Sequence, residues 1–457
     1  MKLSLIPFIV AFAAGTPFSA DAGDGVLDLT RLANYASQSV PANTTRDNTT
    51  AGNPVTDKGA TLGRVLFHDK RLSRNDTVSC SSCHQQSRAF SDSAIASNGV
   101  NGTTGRHSMR LINARFANET HFFWDERAAT LEAQTTQPIR DHVEMGFSGT
   151  LGDPAFADLI TKLSAIDDYR VLFAMTFGDA AITEARVQLS LAQFVRSIQS
   201  FDSKFDLGRA QVAGNNANFP NFTASENAGK QLFLTAPSVP GTTPAGAGCA
   251  ACHAPPEFAI DPNSRNNGVI TRIGGGTDLT NTRSPSLRDL VGPDGQPNGL
   301  FMHDGGFATL AAVINHYDAI PADNANLDPR LRRPGGTTQD LNLSPNQKAD
   351  LAAFLGTLTG TTVYTDEKWT DPFDASNQLS LIVLPPDAVE IIDHGDGTAT
   401  IACQAAAGLS YNLQKSADLR EWTHVAAIVS DTTGRCEHTV NVSGKAFFRF
   451  TYEPPAQ

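Results

Sequence analysis

Two five-residue runs carry most of the chemistry available to this chain. Cys80-Ser81-Ser82-Cys83-His84 and Cys249-Ala250-Ala251-Cys252-His253 each set two thiols three residues apart, with an imidazole directly behind. A C-x-x-C-H run suits covalent attachment of haem. The thiols add to two vinyl groups of the porphyrin, and the adjacent imidazole is placed to coordinate the iron. A zinc site would need a further Cys or His pair for each run, and none is apparent; a disulfide within each run is the other alternative. The sequence therefore predicts two covalently bound c-type haems, with His84 and His253 as proximal ligands. Cys403 and Cys436 fit no metal spacing. In an exported chain they are expected to form a disulfide, with two free buried thiols as the alternative.

The elements that hold these runs repeat a plan. Gly63-Arg64-Val65-Leu66-Phe67 precedes the first and Gly229-Lys230-Gln231-Leu232-Phe233 the second. Two copies of helix, loop and C-x-x-C-H predict two related domains. Between them Leu191, Phe194, Val195, Ile198, Phe201 and Phe205 recur at steps of three and four, which predicts a long helix over 183–205. A second helix is expected from Ser344, a good N-cap followed by Pro345, to about Leu358, with Gly360 beyond it. After about residue 375 short alternating runs appear at 379–384, 398–403, 411–414, 425–429 and 446–450. Turns such as His394-Gly395-Asp396-Gly397 separate them, a β pattern. The expected architecture is mainly α: two cytochrome c-like haem domains at 23–205 and 206–375, then a small β-sandwich at 376–457.

The chain has 457 residues, enough for two or three domains. Its 40% hydrophobic and 18% charged content is globular. Lys and Arg number 35 against 47 Asp and Glu, a net charge of −12, which argues against nucleic acid as a partner. Lys2, the apolar stretch Leu3 to Ala14 and Ala20-Asp21-Ala22 read as a signal peptide over 1–22 with its cleavage site. The mature chain is expected in the periplasm or secreted, without a transmembrane segment.

Leu66-Phe67-His68-Asp69-Lys70-Arg71-Leu72-Ser73 leads into the first haem run. Phe123-Trp124-Asp125-Glu126-Arg127-Ala128, Leu131-Glu132-Ala133-Gln134, Gln137-Pro138-Ile139 and Glu144-Met145 follow. Arg283-Ser284-Pro285-Ser286-Leu287-Arg288 and Met302-His303-Asp304-Gly305 come later. Together these motifs resemble bacterial di-haem cytochrome c peroxidases, the family that includes MauG-type enzymes. The likeness spans about 50–360 in the family's order, and the tail lies outside it. It implies that hydrogen peroxide is the oxidant, that Glu144 is the catalytic acid–base group, and that Gln134 orients the peroxide. Pro138 then lines the pocket, and Trp124 relays electrons between the haems. Many members close the first haem at rest with a His soon after C-x-x-C-H. No His occupies 85–101 here, so that haem is expected to be open. His107 as its distal ligand is the alternative to a polar loop histidine.

The resemblance also places the second haem's distal ligand fourteen residues beyond His303. That position is Tyr317, where typical peroxidases have Met and MauG-type members Tyr. Leu310, Val313, Ile314 and Tyr317 share one helix face. Met302 is the alternative ligand, and one calcium ion between the domains is allowed. The function implied is reduction of hydrogen peroxide with electrons from a small cytochrome or other protein donor. The alternatives are MauG-type oxidation of aromatic residues in a partner protein, and a non-catalytic di-haem electron carrier.

Overall fold

The computed structural model describes residues 23–118, 121–237, 246–260, 262–280, 282–283, 285–382, 389–405, 408–431, 433–442 and 444–452. The expected signal segment over 1–22 and Ser284 lie outside the described residues.

The repeated motif builds one helix in each half. Helix α1 (Asp57–His68) starts where the Thr56 hydroxyl accepts the Gly59 N–H at 3.0 Å. Short helix α2 is Leu131–Thr135, and α3 (Glu184–Ser197) packs across α1. Gly63 permits that close crossing, since a Cβ there would lie 2.0 Å from the Ser190 carbonyl oxygen. Helix α4 (Ala224–Leu234) repeats the device. A Cβ on Gly229 would fall 1.9 Å from the Asp350 carbonyl oxygen of the later helix α6 (Pro345–Gly356). Between these lies α5 (Leu310–Asp318). Thus the two glycines of the repeated motif do the same packing job in both halves.

The helix expected over 183–205 stops at Ser197. The side chain of Asn113 takes over the backbone there: its oxygen accepts the Ser200 N–H at 2.8 Å and its amide donates to the Ser200 carbonyl at 3.0 Å. A separate short helix, Lys204–Arg209, follows. Tertiary hydrogen bonds have outweighed an apolar periodicity that continues through the break. Ser344 caps α6 as the sequence predicts, accepting from Gln347 N–H at 3.3 Å, while the Gln347 side chain accepts from Ser344 N–H at 2.9 Å.

The tail forms strands β1 (Glu390–Asp393), β2 (Thr398–Gln404), β3 (Ser410–Ser416), β4 (Thr423–Val429), β5 (Arg435–Asn441) and β6 (Phe447–Tyr452). They make two three-stranded antiparallel sheets, β5-β2-β1 and β4-β3-β6. Cys403 and Cys436 are buried, directly opposed partners in the β2–β5 register.

The expected helical region and β tail are both present, but only 28% of the described residues are helical. Long loops enclose the two C-x-x-C-H runs, and the tail is β. Apolar side chains gather in two clusters. One joins residues of 27–198 to Val363, Trp369, Phe373 and the inner faces of the tail sheets. The other draws only on 205–358. Among the described residues no helix is long and apolar enough to cross a membrane.

Candidate active site

In the first half Cys80–Cys83 form a single helical turn capped by His84. The His84 ring nitrogen Nδ1 bonds the Phe90 carbonyl oxygen at 3.1 Å, which leaves Nε2 for a metal. Burial pushes the imidazole pKa down, favouring the neutral form that can ligate iron. Burial, then the neighbouring Cys83 thiol, push the Cys80 thiol up to about 12. Glu144 lies near enough to raise both thiols further.

Glu144 is placed by main-chain hydrogen bonds. Asp141 Oδ1 accepts from the Val143 and Glu144 N–H groups at 2.8 and 3.0 Å. The Glu144 carbonyl accepts the Val100 N–H at 3.0 Å. Gly99 makes that docking possible, because a Cβ there would sit 2.0 Å from the Val143 oxygen. The carboxyl is pushed up to about 7, by desolvation first and by the Asp141 charge second, against a smaller opposing pull from Arg127. It can therefore exchange a proton near neutral pH.

Gln134 is half-buried on α2. That helix is capped by Thr130, whose hydroxyl accepts the Ala133 N–H at 3.0 Å. Glu132 ties α2 to the rest of the fold, pairing with Arg196 of α3 and accepting from the Asn53 amide at 2.8 Å. Pro138 follows on a four-residue helix, Gln137–Arg140. Trp124 stands where the halves meet. Its Nε1 donates to the His107 carbonyl at 2.6 Å, and its own carbonyl accepts the Arg283 N–H at 2.8 Å. Its ring meets the His303 ring edge-on, with centroids 6.4 Å apart.

In the second half a cavity of about 1290 Å³ is lined by Cys249, Cys252 and His253 together with Met302 and Tyr317. Ordinary small-molecule pockets reach about 1,000 Å³, so the space suits a large planar group such as haem. Burial pushes His253 down to about 4 and Tyr317 up to about 12. Both donors are therefore held in their neutral forms. A cationic metal would favour the phenolate. The donor set of two thiols, a neutral imidazole and a phenol fits haem.

His107 stands at the junction. Its Nδ1 bonds the Ala94 carbonyl at 2.8 Å, its main-chain N–H donates to the His303 carbonyl at 2.8 Å, and its ring is buried beside Gly299. Nearby, the Asn298 amide donates to the Asp289 carbonyl at 2.8 Å and to the Tyr364 hydroxyl at 2.7 Å. Among the described residues no group of three or more His, Cys, Asp and Glu side chains converges to hold a metal ion.

The folded chain reveals a second repeated segment that sequence reasoning missed. Residues 122–134 and 301–313 align at a constant offset, with Phe, Asp, Ala, Thr, Leu and Ala recurring. Phe122 N–H donates to the Ala128 carbonyl and Phe301 N–H to the Phe307 carbonyl, both at 2.8 Å. Phe123 and Met302 share the left-handed region, at φ 74° and 69°. Thr130 and Thr309 then cap α2 and α5 alike. At this offset Trp124 corresponds to His303 and Pro138 to Tyr317. The recurring run is visible in the sequence as matched residue types at one offset, a weaker signal than the two C-x-x-C-H runs.

A sequence model of the di-haem cytochrome c peroxidase family matches residues 57–213. The chain is 31% identical over 320 residues to the methylamine utilization protein MauG of Methylophilus methylotrophus, covering 67% of this chain and 84% of that one. It is 27% identical over 313 residues to cytochrome c551 peroxidase of Nitrosomonas europaea, covering 66% and 80%. The crystal structure of a MauG-like protein associated with microbial copper homeostasis matches with a TM-score of 0.58 at 27% identity, over 74% of this chain and 99% of that one. A relative 31% identical over two thirds of the chain, and a family model matching residues 57–213, place the chain in the di-haem cytochrome c peroxidase family as a peroxidase-like oxidoreductase.

Proposed function

We propose that the chain reduces hydrogen peroxide to water at its first half and takes electrons, through its second half, from a small cytochrome or other protein donor. The observation that carries this reading is Glu144, a carboxyl raised to about 7 within electrostatic reach of Cys80 and Cys83. Cys80, Cys83 and His84 would hold one covalent haem, and Cys249, Cys252, His253 and Tyr317 the other. Haem iron supplies the redox chemistry and the position at which peroxide binds.

The chain's own residues supply the rest. Glu144 takes a proton from hydrogen peroxide and returns it to the departing oxygen, which leaves as water. Gln134 orients the peroxide through its amide. Pro138, which has no ligating atom in its side chain, lines the pocket and leaves the first iron open. Trp124 bridges the halves as an electron relay. The protein works as an exported chain, in the periplasm or outside the cell, after removal of 1–22. The proposed haem domains are 23–205 and 206–375, followed by the β module at 376–457.

A second reading, oxidation of aromatic residues in a partner protein, is favoured by Tyr317. A hard phenolate ligand stabilises oxidised iron, whereas a thioether ligand raises the potential for electron intake. Stopped-flow mixing of the oxidised protein with peroxide, then with reduced cytochrome c, tests both readings. Rapid re-reduction supports the peroxidase. A long-lived oxidised state indifferent to cytochrome supports the second reading. Two low-spin irons with no peroxide response overturn both and leave an electron carrier.

A further inference from the structure

Asn267 stands fourteen residues after His253 in Asn267-Gly268-Val269, as Asn98 stands fourteen after His84 in Asn98-Gly99-Val100. The two asparagines differ in setting. Asn98 is exposed. Asn267 lines the cavity of the second half, and its Nδ2 lies 3.3 Å from the Tyr317 oxygen and 3.4 Å from the Met302 sulfur.

Its orientation is fixed from behind. Asn267 Oδ1 accepts the Val269 N–H at 3.1 Å, so the NH₂ end must face the cavity. Its main-chain carbonyl bonds the ring of His316 at 2.9 Å, one residue before Tyr317 on α5. The preceding Asn266 is buried and donates to the Val269 and Thr280 carbonyls at 3.3 and 3.1 Å. The loop and α5 are therefore locked together around one amide that reaches both candidate ligands.

We propose that Asn267 is a positioning residue for the second haem's distal ligand: its side-chain amide holds the Tyr317 oxygen in the cavity and draws charge from it. A phenolate oxygen is a strong acceptor and a thioether sulfur a weak one. The same amide therefore selects Tyr317 over Met302 although both are within reach. A donor to the phenolate also weakens its push on the iron, so the ferrous state becomes easier to reach. This inference rests on the reading that Cys249, Cys252 and His253 hold a haem.

The test compares the Met302→Leu protein with the same protein also carrying Asn267→Leu, so that the thioether cannot take over. Peptide mass spectrometry first reports haem on Cys249 and Cys252. The midpoint potential of the second haem and its ferric electron paramagnetic resonance signal are then measured. With both haems present, removing the amide shifts the ferric–ferrous equilibrium about tenfold toward ferric, close to 59 mV for one electron, and moves the g-values. Asn267→Gln, which keeps an amide, restores most of the shift. Unchanged potential and g-values in the Asn267→Leu protein overturn the proposal. If that variant does not fold, Asn267→Ser, too short to span the contact, is held to the same criteria. A chain with no haem on Cys249 and Cys252 instead overturns the reading on which the proposal rests.

Discussion

The two halves use one scaffold for opposite ends. Each has a glycine-notched helix, α1 or α4, leading to C-x-x-C-H, then an Asn-Gly-Val turn. Each later has a Phe that closes a five-residue loop and a helix capped by Thr. What differs is the side chain that the capped helix delivers. In the second half α5 runs unbroken to Tyr317. In the first the corresponding position is Pro138, whose missing N–H ends α2 and starts a new turn. The second half thereby carries a phenol in the cavity beside its C-x-x-C-H run, and the first has a proline at the matching position. The halves share a frame and differ at matched positions: Pro138 against Tyr317, Gln134 against Val313, and Trp124 against His303.

The largest effect should come from erasing that difference. Pro138→Tyr places a phenol in the first half where the second half has one, and should slow the peroxide reaction by about 1,000-fold, roughly 4 kcal/mol of barrier. Stopped-flow absorbance checks it, and a rate near wild type would show that the two positions are not equivalent. Next, Glu144→Gln removes the raised carboxyl near the first C-x-x-C-H run. It should slow the peroxide step by about 100-fold. In the wild type the rate should rise with pH through about 7, because only the ionised carboxylate accepts the proton, and the variant should lose that inflection. Retention of both rate and inflection would move the acid–base role elsewhere. Trp124→Phe keeps an aromatic ring but loses the bond to the His107 carbonyl. Electron exchange between the halves should slow about tenfold, some 1.4 kcal/mol, with both ligand spectra unaltered.

Much of this was legible because it depends on local chemistry. C-x-x-C-H needs contiguous residues, and the Ser344 cap and the strand alternation are local rules. The approach of Glu144 to the first haem run was implied by family likeness alone; its physical cause, Gly99 lying against Val143, involves residues far apart in sequence. The break after Ser197 was hidden because the Asn113 side chain makes it from a distant loop. The low helix content was hidden because positive-φ residues such as Phe123 and Met302, which shape the long loops, have no simple sequence signature. Asn267 could have been noticed from its repeat at the same spacing, but only the fold distinguishes it from exposed Asn98.

The smallest expected effect concerns how the two copies are held face to face. Arg106 donates to Asp125, next to Trp124, and to Asp278 of the second half, each at 2.6 Å. Burial alone would push both carboxyls up. Hydrogen bonds from Arg106 to both and from Thr280 to Asp278, with Arg127 beside Asp125, outweigh it and hold them below the usual carboxylate range. The groups are one-quarter exposed or less, so removing the guanidinium with Arg106→Ala should cost about 1 kcal/mol. The sign with pH follows from linkage. Carboxyls lowered in the folded state add stability above their unfolded pKa, near about 4, and lose it as pH falls through the folded values. Urea unfolding should therefore separate wild type from variant most at pH 6 and above, and the gap should narrow only below about pH 3, as the folded carboxyls themselves become protonated. A gap independent of pH would mean that Arg106 joins the halves by packing its stem rather than by charge.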